Sequence, residues 1–370
     1  MSSESSVEVV VIGAGVAGAA AAWELARRGH RVTLLEQFAL DHVLGSSHGR
    51  SRIFRLAYDT ADYVGLAQEA LHGWRELEED SGHDLLRITG AVDIGPRELL
   101  EPIAAALTER GAESSWLTDQ DLGSAVRAPE GWKALYQPLG GVLSARECLA
   151  AFAHGAVRMG ATVLPDAKAA SVVPEVDHVD VDTDRGVFAA EVAVIAAGGW
   201  ANTLLQPLGL DVPLKVTREH VAYFRIAPEV EFLPFIWHTD DGSPEAYGLP
   251  NAEDGTAKVG RHLAGQQVRP GGRGSPDPER ISALTEFVGR HLPGLEPKAL
   301  LPETCLYAST PDDDFVIERH GRVILAVGFG GHGFKFGPAI GAMVAELVEG
   351  RSIELATRFS RGRFTGAVAG

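Results

Sequence analysis

The first hydrophobic block is four consecutive β-branched residues, Val9-Val10-Val11-Ile12, which break at Gly13-Ala14-Gly15-Val16-Ala17-Gly18 and resume as alanine-rich sequence through Arg28-Gly29. A second apolar run, Val32-Thr33-Leu34-Leu35, ends at Glu36. β-branched residues favour a strand, Ala19 to Arg28 holds strong helix formers, and Gly29 stands where a left-handed helix cap is expected. The pattern predicts strand, glycine turn, helix and strand, a βαβ crossover. Further along, Val172 to Val181 and Phe188 to Ile195 alternate around polar turns as short strands, the last running into Ala196-Ala197-Gly198-Gly199-Trp200. Such an ending suits either a backbone passing close to a cofactor or an ordinary packed strand end.

Near the C-terminus, Val323 to Val327 predicts a strand, Gly328 to Phe334 a glycine-rich loop, and Ala339 to Gly350 an amphipathic helix closed by glycine. Residues 83–142 and 213–309 are more mixed, with proline and charged loops such as Arg269 to Arg280. The expected fold is α/β: a discontinuous Rossmann-like dinucleotide-binding domain (1–82, 143–212 and 310–370) with an inserted mixed-sheet substrate domain (83–142 and 213–309).

Composition narrows the partners. The 370 residues, 45% hydrophobic and 22% charged, suit an ordinary globular chain of two or three domains. Lys plus Arg number 33 against 50 Asp plus Glu, and a net charge of −17 repels both nucleic acid and anionic membrane. Cys148 and Cys305 alone make neither a disulfide framework nor a paired-cysteine metal site, so a reducing cytoplasm and no metal are expected. Met1 to Glu8 lacks Lys and Arg, the wrong charge for a secretory leader. The longest uncharged stretch, Val9 to Trp23, is shorter than the roughly 18 to 20 apolar residues of a membrane span.

In a βαβ unit of this kind the first glycine, Gly13, permits the tight turn, Gly15 lets a pyrophosphate approach the backbone, and Gly18 lets helix and strand pack closely. Phosphates then sit at the positive helix end. Glu36, 23 residues after Gly13, stands where an acid accepts hydrogen bonds from a ribose. Just beyond it, Gly45-Ser46-Ser47-His48-Gly49-Arg50-Ser51-Arg52-Ile53-Phe54-Arg55 concentrates three arginines. They form either a solvated basic loop or donors for an anionic ligand.

The run from Gly45 to Tyr58, the segment Cys305-Leu306-Tyr307 with Thr310-Pro311-Asp312, and Gly331-His332-Gly333-Phe334-Lys335-Phe336 together resemble the monomeric sarcosine oxidase and N-methyltryptophan oxidase family. The resemblance spans nearly the whole chain. It implies a flavin enzyme that oxidises a secondary amino acid with O2, releasing hydrogen peroxide, and carries FAD on a cysteine thioether that Cys305 matches. Ser51, Arg52, Gly331, Gly333 and Lys335 fall at the cofactor, with Arg52 beside the flavin ring. Lys258 matches the lysine that activates oxygen, where a fixed cation stabilises developing superoxide. Arg55 and Lys335 match the pair that clamps the substrate carboxylate; Tyr247, His262 and Tyr307 match residues lining the substrate cavity. His332 falls near the flavin with its role open, Cys148 matches nothing, and a monomer is implied.

Two departures border the implied site. Ser47-His48-Gly49-Arg50-Ser51 replaces a family stretch of His-His-Gly-Asp/Glu-Thr, adding a cation and removing an acid. The segment Asn251 to Ala257 is unusually acidic. Competing readings are a nicotinamide-dependent dehydrogenase, a flavin dehydrogenase serving another electron acceptor, and a noncatalytic FAD-binding protein.

Overall fold

The strand Glu8–Ile12 lies inside a six-stranded sheet ordered Val316–His320, Val323–Val327, Val192–Ile195, Glu8–Ile12, Arg31–Leu35, Thr162–Leu164. The computed structural model describes residues 8–118, 121–251, 254–271 and 274–364. Every pairing in this sheet is parallel except that of Val316–His320 with Val323–Val327. A parallel sheet is covered on both faces, which is why its central strands read as unbroken apolar runs. Val9 and Val11 pack into one core, Val10 and Ile12 into another on the opposite face.

Helix Val16–Arg27 follows the first strand and packs against Ala145–Arg158 and Gly337–Val348. The C-terminal helix differs from its amphipathic expectation. It starts at Gly337, with Pro338 in the first turn, and every residue is buried except Ala342 and Glu346. Two helices and the sheet enclose it, so no polar face is required.

The second large sheet has nine strands, ordered Gln266–Gln267, Lys215–Arg225, Thr256–Arg261, Ala246–Asn251, Phe235–Trp237, Ala91–Gly95, Lys133–Gln137, Ser115–Leu117, with Leu301–Ser309 also paired to Lys215–Arg225. Side chains alternate across it. Ala222, Phe224, Ala257 and Val259 join Phe235, Trp237 and Phe287 in a core beneath helix Pro278–His291. Val221, Tyr223, Lys258, Cys305 and Tyr307 face a cavity on the other side. A small sheet of Ser51–Phe54, Gly141–Ser144 and Leu86–Ile88 carries Arg52 beside that cavity, and Arg55 follows its first strand. Among the described residues no helix is long and apolar enough to cross a membrane.

Candidate active site

A cavity of about 840 Å³ runs from the glycine turn of the first sheet to the polar face of the second. Gly13 has φ +104, and a Cβ there would lie 2.6 Å from the Ala196 carbonyl oxygen. Gly15 lines the cavity as the cap of helix Val16–Arg27, whose first amide, Val16 N, donates to Ser47 Oγ at 3.0 Å. Gly18 does not line it: its Cα packs on the Gly13 carbonyl, 1.9 Å from where a Cβ would stand. Glu36, buried at the end of Arg31–Leu35, accepts hydrogen bonds from Ala14 N at 2.9 Å and Phe38 N at 3.1 Å. That carboxylate is fixed beside the turn with lone pairs to spare. Ala196 to Trp200, the strand end that allowed two readings, also line the cavity. A glycine turn, a helix start facing the cavity and a fixed acid fit the phosphates and ribose of a dinucleotide.

Cations cluster farther in. Lys258 is buried on strand Thr256–Arg261, its Nζ donating to the Ser51 carbonyl at 2.5 Å. Burial, then the neighbouring Arg52, pulls its pKa down to about 7. Among the described residues Arg52 pairs with no acid. Its guanidinium donates to the carbonyls of Ser46, His48 and Ser51 at 2.7, 2.5 and 2.9 Å and lies 5.3 Å from the Phe334 ring centre. Cys305 lines the cavity opposite Glu219 in the strand ladder, its thiol pKa raised by burial. Ser51 offers its backbone rather than its side chain; its hydroxyl is buried without a partner among the described residues.

At the inner end Arg55 and Lys335 meet on one aromatic ring. The Arg55 guanidinium lies 4.3 Å and the Lys335 Nζ 5.4 Å from the centre of Tyr58. Arg55 donates to the Ala57 carbonyl and to Asp93. Lys335 Nζ donates to the Tyr58 hydroxyl at 2.8 Å and the His332 carbonyl at 2.9 Å, and burial followed by Arg55 depresses its pKa strongly. Tyr247, His262 and Tyr307 line this end, with 5.7 Å between the centres of the last two rings. Burial holds His262 near pKa 4, a neutral imidazole. Gly331 and Gly333 line the cavity, and a Cβ on Gly331 would fall 2.2 Å from the Tyr307 ring.

Sequence reasoning missed Asp93, His238 and Glu245, which stand behind Arg55, and Tyr58 as the ring on which the cations converge. Asp93 had a signal: it is a lone acid within the apolar run Ala91-Val92-Asp93-Ile94. The two departures answer each other, because Arg50 Nη1 lies 2.5 Å from Asp254 Oδ2, joining the arginine loop to the acidic hairpin. Ala252 and Glu253 of that hairpin lie outside the described residues. So do Met1 to Val7 at the N-terminus.

The fold and the cavity define a class: a protein that cradles a dinucleotide on a parallel sheet and presents its far end to a second ligand under a mixed sheet. Residues 8–347 match the model of the FAD dependent oxidoreductase family, and the chain belongs to that family. It is 36% identical over 358 residues to the peroxisomal sarcosine oxidase of Mus musculus, covering 92% of this chain and 91% of that protein. It is 32% identical over 360 residues to the monomeric sarcosine oxidase of Bacillus sp. (strain NS-129), covering 92% of each. The solved structure of NikD, an unusual amino acid oxidase essential for nikkomycin biosynthesis, superposes with TM-score 0.85 at 28% identity, covering 96% of this chain and 97% of that one.

Proposed function

We propose that this flavin enzyme oxidises secondary amino acids, N-methyl or cyclic, at the bond between nitrogen and its neighbouring carbon, with O2 as the electron acceptor. One observation carries the reading: Arg55 and Lys335 converge on Tyr58 at the inner end of a dinucleotide cavity. Two adjacent cations, Lys335 buried and Arg55 half-buried, suit a carboxylate, and each charge-assisted hydrogen bond contributes about 1.5 to 3 kcal/mol. A bound carboxylate also favours the charged form of Lys335 that burial alone opposes.

When bound, FAD supplies an acceptor for a hydride equivalent from the substrate carbon and returns the electrons to O2 as peroxide. Gly13, Gly15 and Glu36 would hold its phosphates and ribose; Cys305 is the attachment point we propose for its ring. Arg52, fixed by three carbonyls, would set positive charge beside that ring. Arg55 and Lys335 orient the substrate by its carboxylate. His262, neutral and next to Tyr307, accommodates the amine without repelling it. Lys258, close to neutral pKa on the Ser51 carbonyl, holds a proton where negative charge grows on oxygen. Water then hydrolyses the released imine.

In the division we propose, 1–82, 143–212 and 310–370 around 83–142 and 213–309, the first domain carries the cofactor and the second roofs the substrate, with Arg55 and Lys335 reaching the substrate from the first and Cys305 reaching the cofactor from the second. A monomer in a reducing cytoplasm is the setting we propose, on the family resemblance and the two unpaired cysteines. The test is a peroxide assay of the purified yellow protein with sarcosine, bulkier N-methyl amino acids and cyclic imino acids. Peroxide from at least one is expected, and none from any would reject the oxidase. Acid precipitation should leave a yellow pellet; free FAD in the supernatant would refute attachment at Cys305.

A further inference from the structure

Behind Arg55 lies a row of charged side chains that the catalytic reading does not use. Asp93, fully buried on strand Ala91–Gly95, meets Arg55 Nη1 at 3.4 Å, Gln137 Nε2 at 3.2 Å and His238 Nε2 at 2.9 Å. The opposite nitrogen of His238, Nδ1, lies 2.9 Å from Glu245 Oε1. Ionised carboxylates only accept hydrogen bonds, so an imidazole between two of them donates from both nitrogens and carries a positive charge. Gln137 Oε1 accepts the backbone amides of Leu56 at 2.6 Å and Ala57 at 3.2 Å, tying the segment after Arg55 to the same cluster.

This arrangement resolves an electrostatic difficulty. Arg55 alone with Asp93 would be a neutral pair, leaving Lys335 as the one uncompensated cation of the clamp. With His238 charged, the Asp93 carboxylate is shared between two cations, and Arg55 keeps attraction for a ligand. Exposure is graded, with side-chain values of 1% at Asp93, 11% at His238 and 38% at Glu245, so Glu245 balances the imidazolium from the more exposed end, where its own field is partly screened. Glu245 lines the cavity, whereas Asp93 and His238 do not.

We propose that Asp93, His238 and Glu245 form a positioning network that keeps Arg55 aimed at the substrate carboxylate, so that affinity for amino acids depends on an imidazolium outside the cavity. The inference rests on the reading of Arg55 as a carboxylate-binding residue. The groups facing the network are Arg55, Tyr58, His262 and Lys335. Of these, His262 is neutral near pKa 4, Tyr58 is pushed upward by burial, and Lys335 is depressed. His238, despite burial, is lifted to about 9 by Asp93 and then Glu245.

The probe is propanoate, a carboxylate with no titrating amine, bound to the holoenzyme and followed by its perturbation of the flavin spectrum. His238→Gln should weaken propanoate and raise KM for the best amino acid on the order of tenfold, with kcat little changed, because the buried Asp93 carboxylate then neutralises Arg55 alone. The double variant Asp93→Asn with His238→Gln should recover much of that loss, since both charges are gone. Wild-type affinity should decline as pH passes about 9, and His238→Gln, which keeps Lys335, should lack this break. If His238→Gln fails to fold, Glu245→Gln at the half-exposed end carries the test by moving the break to lower pH. Unchanged propanoate binding in His238→Gln, or a double variant no better than the single, overturns the network. A wild-type holoenzyme that neither binds propanoate nor oxidises any amino acid overturns the carboxylate reading of Arg55 itself.

Discussion

Lys258 illustrates how one side chain acquires chemistry from its surroundings. A strand lysine is ordinarily exposed; this one is buried, bonded to a carbonyl and held near neutral pKa by burial and by Arg52. Replacing it with methionine preserves much of the volume and removes the charge. Reoxidation by O2 is expected to slow on the order of a hundredfold, the scale of losing one fixed charge-stabilising group. Anaerobic reduction by substrate should change far less, which stopped-flow absorbance separates. The sequence motifs supplied the position of Lys258, Arg55 and Lys335. Their convergence on Tyr58 became visible only when distant segments met in space.

Elements matter through how closely they approach. Gly18 sits in helix Val16–Arg27 with no room for a side chain, since a Cβ would stand 1.9 Å from the Gly13 carbonyl oxygen. Gly18→Ala must push the helix off its strand, at a cost of about 1 to 3 kcal/mol for overpacking. The helix end would leave the phosphate position, so the ratio of flavin absorbance to protein should fall along with Tm. The Arg50–Asp254 pair, with side chains 40% and 38% exposed, joins two loops and contributes only about 0 to 1 kcal/mol to stability. The C-terminal helix marks a limit of periodicity: buried except at Ala342 and Glu346, it departs from an amphipathic expectation because two helices and the sheet close around it.

The whole molecule records its buried charges in its response to pH. His238 has a folded pKa of about 9 against 6.5 for the ordinary group, so folding raises its proton affinity. The resulting stability is complete below pH 6.5 and is lost as pH rises through about 9. Denaturant unfolding of the wild type should therefore show stability falling across that window by at most a few kcal/mol, with the slope diminished in His238→Gln. An equal slope in both would place the titration elsewhere.

The sequence by itself determined the βαβ crossover, its glycine turn and Glu36, because those features repeat over neighbouring residues and local geometry dictates them. Through motif resemblance it also marked Cys305, Lys258, Arg52, Arg55 and Lys335 one at a time. Tertiary structure alone decided which charges share a space: Arg55 with Asp93 and His238, Arg50 with Asp254, Lys258 with the Ser51 carbonyl. Partners so far apart in the chain leave no periodic trace, and the low-dielectric surroundings that set their protonation exist only once the two sheets have closed on each other.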